Sequence, residues 1–325
     1  MASPSRKIEE KLAALKAMER SAEPPDASPL LEALRSKTGV LVAAAARIVS
    51  ARELRDLSGE LAAAFERLCE KPLERDPGCR GKLAVVKALR ALDEWEDRVF
   101  VRGISLVQAE PVWGGREDAA AELRAECGMA FSHAGRADAL DVLADLLADP
   151  QRAARAGAAQ ALGDSGRPDA TALLRFKVRT GDSEAEVLSA CLASLLALDP
   201  KGSVPFLASL LRGRDERAEA AALTLGESRL AAARPHLEAW CEEGATPDER
   251  RNVGYLALAL LRDDEATGFL LRAVRDEDDA DAVAAARALA TFRDDPALVA
   301  RLREAASGRG RVAAAADEAL AARRG

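Results

Sequence analysis

RADALDVLADLLADPQRAARAGAAQALGDSGR, residues 136–167, is the stretch from which the fold can be read. Its first half places Leu140, Leu143, Leu146 and Leu147 at helical spacing, one apolar stripe on a short helix. Asp149-Pro150 stops that helix, because proline lacks the N–H and pushes the residue before it out of the α region. The second half sets Ala154, Ala158, Ala159 and Leu162 on one face, where small side chains let a neighbouring helix come close. Gly163-Asp164-Ser165-Gly166 ends it with a glycine in the left-handed cap. Two short antiparallel helices cannot bury both faces alone and need copies of themselves on either side.

Such copies run along the chain. Helix pairs are expected at about 29–53, 54–95, 96–135, 136–167, 168–200, 201–229, 230–265, 266–296 and 297–325. Their second helices align as VAAAARIV (42–49), LAVVKALRAL (83–92), RAGAAQALG (155–163), RAEAAALTLG (217–226), AVAAARALA (282–290) and RVAAAADEAL (311–320). Alanine-rich segments can align through composition alone, but the turns GRPDA, DPKGS, ESRLA and RDDPA recur at the same phase. Ahead of the repeats, Ile8, Leu12 and Leu15 stand at helical spacing before SAEPPDASP breaks the helix. Residues 1–28 are therefore expected to form an N-terminal helix and a proline-rich linker, and residues 29–325 an all-α solenoid.

Composition agrees. Alanine and leucine dominate, and aromatic residues make up only 3% of the 325, which favours helix over strand. The formal net charge is −7; basic and acidic side chains balance in residues 1–125, so the acidic excess lies beyond them. This exerts no overall pull towards nucleic acid or anionic membrane, although a local basic groove stays open as an option. Cys69, Cys79, Cys127, Cys191 and Cys241 are scattered without a CxxC pair, as expected of reduced thiols in a cytoplasmic protein. The first twenty residues hold no apolar signal core, and the longest apolar run, Val40 to Ala46, is too short to span a bilayer.

A sharper pattern marks the entry to certain second helices. Asp76 precedes Lys82, Asp118 precedes Arg124 and Asp149 precedes Arg155, each by six residues. Here the chain resembles the HEAT-repeat family, most of all the bacterial HEAT-like, armadillo-like superhelices also found in phycobilin lyases. In that family an Asp in the turn and an Arg or Lys at this offset form a hydrogen-bonded ladder from one repeat to the next. The resemblance implies a structural ladder of Asp76, Lys82, Asp118, Arg124, Asp149 and Arg155, with second helices lining a concave face. Leu188 and Asn252 depart from the pattern, and the resemblance implies no lyase activity.

Signals for chemistry are sparse. His133 and His236 have no His or Cys partner at ligand spacing, so neither a metal nor a cofactor is expected. Gly163-Asp164-Ser165-Gly166 matches the nucleophile motif of trypsin-like proteases, but at a helix cap in an all-α context it lacks a general base. The acidic runs 262–265, 276–279 and 294–295 lack the spacing of a calcium loop and fit N-caps. Lys37, Arg47, Arg80, Lys87 and Arg90 can line a groove, interleaved in sequence with Glu66, Glu70 and Glu74.

One stretch breaks the period: QAEPVWGGREDA, residues 108–119. Pro111 is expected to end a helix, and Gly114-Gly115 to loosen the backbone beside Trp113. Glu110, Trp113, Gly114, Gly115 and Arg116 then form an interface loop, with Trp95, Arg80 and Lys87 as further members of the surface. The alternative reading of the loop has Trp113 fold back as a plug between repeats. The leading expectation is a non-enzymatic scaffold binding a protein or peptide on the concave face and this loop. A nucleic-acid binder resembling the HEAT-like DNA glycosylases is the alternative, with Trp113 and Glu110, or Trp95 and Asp97, as its aromatic–carboxylate pair. A chromophore-lyase accessory is a third reading.

Overall fold

The computed structural model describes residues 4–21, 26–213, 215–242 and 248–322. The chain divides into two compact units, residues 1–170 and 171–325, within the span predicted as one solenoid. The first opens with α1 (Pro4–Arg20), α2 (Ala27–Leu34) and α3 (Gly39–Ala51). It continues with α4 (Ser58–Cys69), the single turn α5 (Pro72–Arg75), α6 (Arg80–Ala91) and α7 (Asp97–Gly103). Strands β1 (Ala109–Val112) and β2 (Gly115–Asp118) follow, then α8 (Ala121–His133), α9 (Ala139–Leu146) and α10 (Arg152–Asp164).

The unit is a stack of pairs. Helices α3, α6, α8 and α10 pack in sequence as one layer, and α2, α4 and α7 form the other beside them. Small residues set the spacing. A Cβ on Gly157 would lie 2.3 Å from Ala125 Cβ and 3.0 Å from its Cα, so α10 closes on α8 to a distance that admits only glycine. The N-terminal helix α1 docks on α3 through Leu15, which is buried.

The second unit repeats the plan with α11 (Ala170–Thr180), α12 (Ala185–Leu198), α13 (Pro200–Leu210), α14 (Glu216–Glu227) and α15 (Arg234–Glu242). Helices α16 (Asp248–Leu261), α17 (Asp264–Asp276), α18 (Asp279–Ala290), α19 (Pro296–Ala305) and α20 (Gly310–Ala321) complete it. Helices α12, α14, α16, α18 and α20 pack consecutively. The acidic runs supply caps: the carboxylates of Asp263, Asp278 and Asp295 each accept two backbone N–H bonds at a helix start. The fold class is thus an all-α solenoid, with nine helix pairs after α1 among the described residues.

The exception is the segment predicted as a helix end and loop. The preceding helix stops at Gly103, and β1 and β2 pair as an antiparallel hairpin, Ala109 with Asp118 through Val112 with Gly115. Ala119 N donates to Gln108 O at 3.0 Å, and alternation from that bond puts Pro111 opposite Arg116 at a non-hydrogen-bonded pair. The missing proline N–H costs the ladder nothing there. Gly114 closes the turn at φ +94°, a conformation that side chains with a Cβ rarely adopt.

Candidate functional site

The acid–base pairs lie where their helices begin. Asp76 Oδ1 accepts from Gly81 N (2.7 Å), and Oδ2 from Lys82 N (3.0 Å) and Lys82 Nζ (2.9 Å). Both side chains are fully buried, and among the described residues Asp76 is the ammonium's sole ionic partner. In the next repeat Asp118 Oδ1 accepts from Gln108 N (2.8 Å) and Ala120 N (3.0 Å), while Oδ2 accepts from Arg124 Nη1 (2.6 Å). Burial opposes ionisation of Asp118, but these two backbone donors and the guanidinium outweigh it and hold the carboxyl below its ordinary range.

Arg124 reaches further than its own turn. Its Nε and Nη2 fork onto both oxygens of Asp149 at 2.8 Å each, and Nη1 also donates to Leu106 O at 2.8 Å. One guanidinium therefore joins the turn before α8 to the turn before α10. Arg155 Nη1 donates to the Asp149 and Pro150 carbonyls at 2.9 and 3.0 Å.

Between α6 and α8 the hairpin makes the join. Gln108, buried, donates from Nε2 to Asp76 O (2.8 Å) and to Glu110 Oε1 (2.5 Å), and that oxygen also accepts from Gly78 N (2.6 Å). Arg116 Nη2 donates to Ala109 O at 2.7 Å across the hairpin. The tip is bare: Trp113 is fully exposed (104%), and Val112 beside it is exposed too. The plug reading of Trp113 is therefore corrected; the indole fills no gap. Gln108 was not singled out from sequence, where its signal is a lone glutamine in the run LVQAE.

Trp95 does not join this surface. It follows the C-terminus of α6, about 18 Å along that twelve-residue helix from the end the hairpin grips. There it stacks on Phe100 (4.8 Å), meets Phe131 edge-on (5.1 Å), lies under Arg136 (5.0 Å) and donates from Nε1 to Asp97 Oδ1 at 2.8 Å. Neither proposed aromatic–carboxylate pair forms an open pocket, since Asp97 bonds the indole itself and Glu110 faces the hairpin base. His133 Nε2 lies 3.2 Å from Asp93 Oδ1 on the surface. Ser165 Oγ donates to Leu162 O and accepts from Arg167 N, with Gly166 at φ +63° in the cap.

Arg80 and Lys87 belong to a different feature, a groove of about 880 Å³ bounded by α1, α3 and α6. Leu12, Ala43, Ala46, Leu83, Ala84 and Ala88 give it an apolar floor. Lys16, Arg47, Arg80, Lys87 and Arg90 stand around it with Glu19. Lys37 is not among its residues, and Glu66, Glu70 and Glu74 pair elsewhere, with Arg98, Arg75 and Lys71. Among the described residues no cluster of three or more His, Cys, Asp or Glu could hold a metal ion, and no helix is long and apolar enough to cross a membrane.

Comparison with known proteins bears on the repeats. No curated protein matches the sequence. Solved structures similar to the chain include human deoxyhypusine hydroxylase in complex with glycerol, at 17% identity over 81% of this chain and 96% of that one (TM-score 0.33). An engineered protein is 19% identical over 98% and 96% (TM-score 0.34). The complex of CpcE and CpcF of phycocyanin lyase from Nostoc is 18% identical over 88% and 96% (TM-score 0.33). Residues 114–184 match the family of HEAT repeats. By that match residues 114–184 are HEAT repeats, and helix pairs of the same plan continue on either side of it.

Proposed function

We propose that the protein is a non-enzymatic scaffold that holds a protein or peptide partner on the hairpin tip and on the second-helix face of residues 1–170. The observation that carries this reading is Trp113, wholly in solvent on a hairpin whose base is hydrogen-bonded into the repeat. A free indole leaves a large apolar surface in water, and a braced mount holds it in place before any partner arrives. Rigid, exposed tryptophans are the residue type that dominates interface energetics. Val112 extends the apolar patch.

The nucleic-acid reading has less support. Three of the five bases around the groove are already paired with carboxylates, and the groove floor is aliphatic. The test uses the full chain as bait in native extract, wild type against Trp113→Ala. The variant is expected to melt like wild type and to lose about 2 kcal/mol of partner affinity, roughly thirty-fold in Kd. Capture of the same proteins at equal affinity by both chains refutes the reading.

A further inference from the structure

We infer that the groove bounded by α1, α3 and α6 receives an acidic amphipathic helix of a partner protein, an inference that rests on the scaffold reading above. Its shape is the first argument. On α3 the groove residues recur at 40, 43, 47 and 51, and on α6 at 80, 84, 87 and 91, two stripes of helical period. Each covers twelve residues, so the trough runs about 17 Å, roughly three turns of an occupying helix. Its floor presents aliphatic side chains, mostly alanines, with Ser50 as its one hydroxyl, so no polar groups converge there as they do in a small-molecule site. Alanine floors allow close approach of a backbone cylinder. Helix α1 already rests on α3 in this manner, through the buried Leu15.

Charge is the second argument. The chain as a whole carries −7, yet five bases and one acid surround this trough. Arg47 lies 3.5 Å from Glu19, Lys87 lies 3.0 Å from Glu122, and Arg90 lies 3.0 Å from Glu126. Lys16 and Arg80 have no ionic partner among the described residues, and both are exposed. An occupant with leucines on one face and Asp or Glu along its flanks satisfies floor and rim together, the helix-in-groove mode of recognition. A phosphate backbone satisfies only the rim. It leaves the aliphatic floor uncovered, and no aromatic in the groove offers a base a stacking surface.

The test is fluorescence anisotropy on the full chain with three labelled probes. They are a stapled helix of about fifteen residues with leucines at helical spacing and glutamates elsewhere, its lysine-for-glutamate counterpart, and a single-stranded oligodeoxynucleotide. The acidic helix should bind saturably, weaken as salt rises, and bind at least about tenfold tighter than either other probe. Ala84→Trp, which fills the trough, and the double variant Lys16→Glu with Arg80→Glu should each weaken it about tenfold or more, with helicity and melting temperature retained. The rim variant keeps the test decisive should the tryptophan disturb folding. No saturable binding, equal binding of the lysine helix or the oligonucleotide, or undiminished binding to both variants overturns the inference. Failure here with Trp113-dependent capture intact removes only the groove assignment. Peptide binding without Trp113-dependent capture removes only the role of the tip.

Discussion

Replacing Arg124 by alanine removes the side chain that spans two inter-helix turns. The guanidinium makes four hydrogen bonds, one to Asp118, two to Asp149 and one to the Leu106 carbonyl. Its side chain is 4% exposed and the two carboxylates 10% each, so water cannot easily take its place. Stranding one side of a buried ion pair costs about 3–5 kcal/mol. Each carboxylate here keeps backbone donors, Gln108 N and Ala120 N on Asp118 and Gln151 N on Asp149, which places the loss at the low end, about 3 kcal/mol. In a stack of repeats that loss is local. Amide exchange over 104–120 and 147–155 should then quicken about a hundredfold, while residues 171–325 stay unchanged. Arg124→Lys should recover part of it, since an ammonium cannot fork onto one carboxylate while bonding another. Exchange that rises less than about tenfold at both turns in Arg124→Ala would show that the bridge does not hold them together.

Asp118 titrates below the unfolded value of about 3.9, so its contribution is present above pH ~4 and is lost as pH falls through the folded value. Asp118→Asn should therefore be less stable than wild type at neutral pH, with a gap in urea midpoint that narrows below pH ~4; a gap constant from neutral to acid pH refutes this. Trp113→Ala should leave stability within about 0.5 kcal/mol, and a clear drop in melting temperature would mean the indole packs. Gly157→Ala should cost about 1–3 kcal/mol by forcing α10 off α8, and Ala125→Gly in the same chain should restore part of it in thermal unfolding. Burial pushes the Cys79 and Cys191 thiols up to about 12, so a thiol reagent should leave both unmodified in native buffer and reach them on unfolding.

The helix pairs were legible because their causes are local: apolar period, proline stops and glycine caps recur within each pair. The six-residue spacing of Asp118 and Arg124 is local too, a turn and the first turns of one helix. The reach of Arg124 to Asp149, 25 residues on, is not; only the stacking of α8 on α10 brings them together. The hairpin escaped because AEPVWGGRED lacks the β-branched alternation of a strand. It is held instead by Gly114 and by side-chain bonds to a turn 32 residues away. Trp95 was grouped with Trp113 through proximity in sequence, and a helix of twelve residues separates the two ends. The groove needed α1 placed against α3, across a proline-rich segment that carries no positional signal.

The two-point seating of the hairpin makes it a lever with a defined fulcrum. Its long arm ends in the indole; its short arm bears on Gly78 N and the Asp76 carbonyl. Asp76 in turn grips Lys82 in the first turn of α6, and α6 is one wall of the basic-rimmed groove. A load applied at the tip is thus delivered to the root of that wall, because among the described residues Lys82, unlike Arg124, sends no second strut to the following turn. Whatever seizes Trp113 pulls on the joint between the second and third helix pairs.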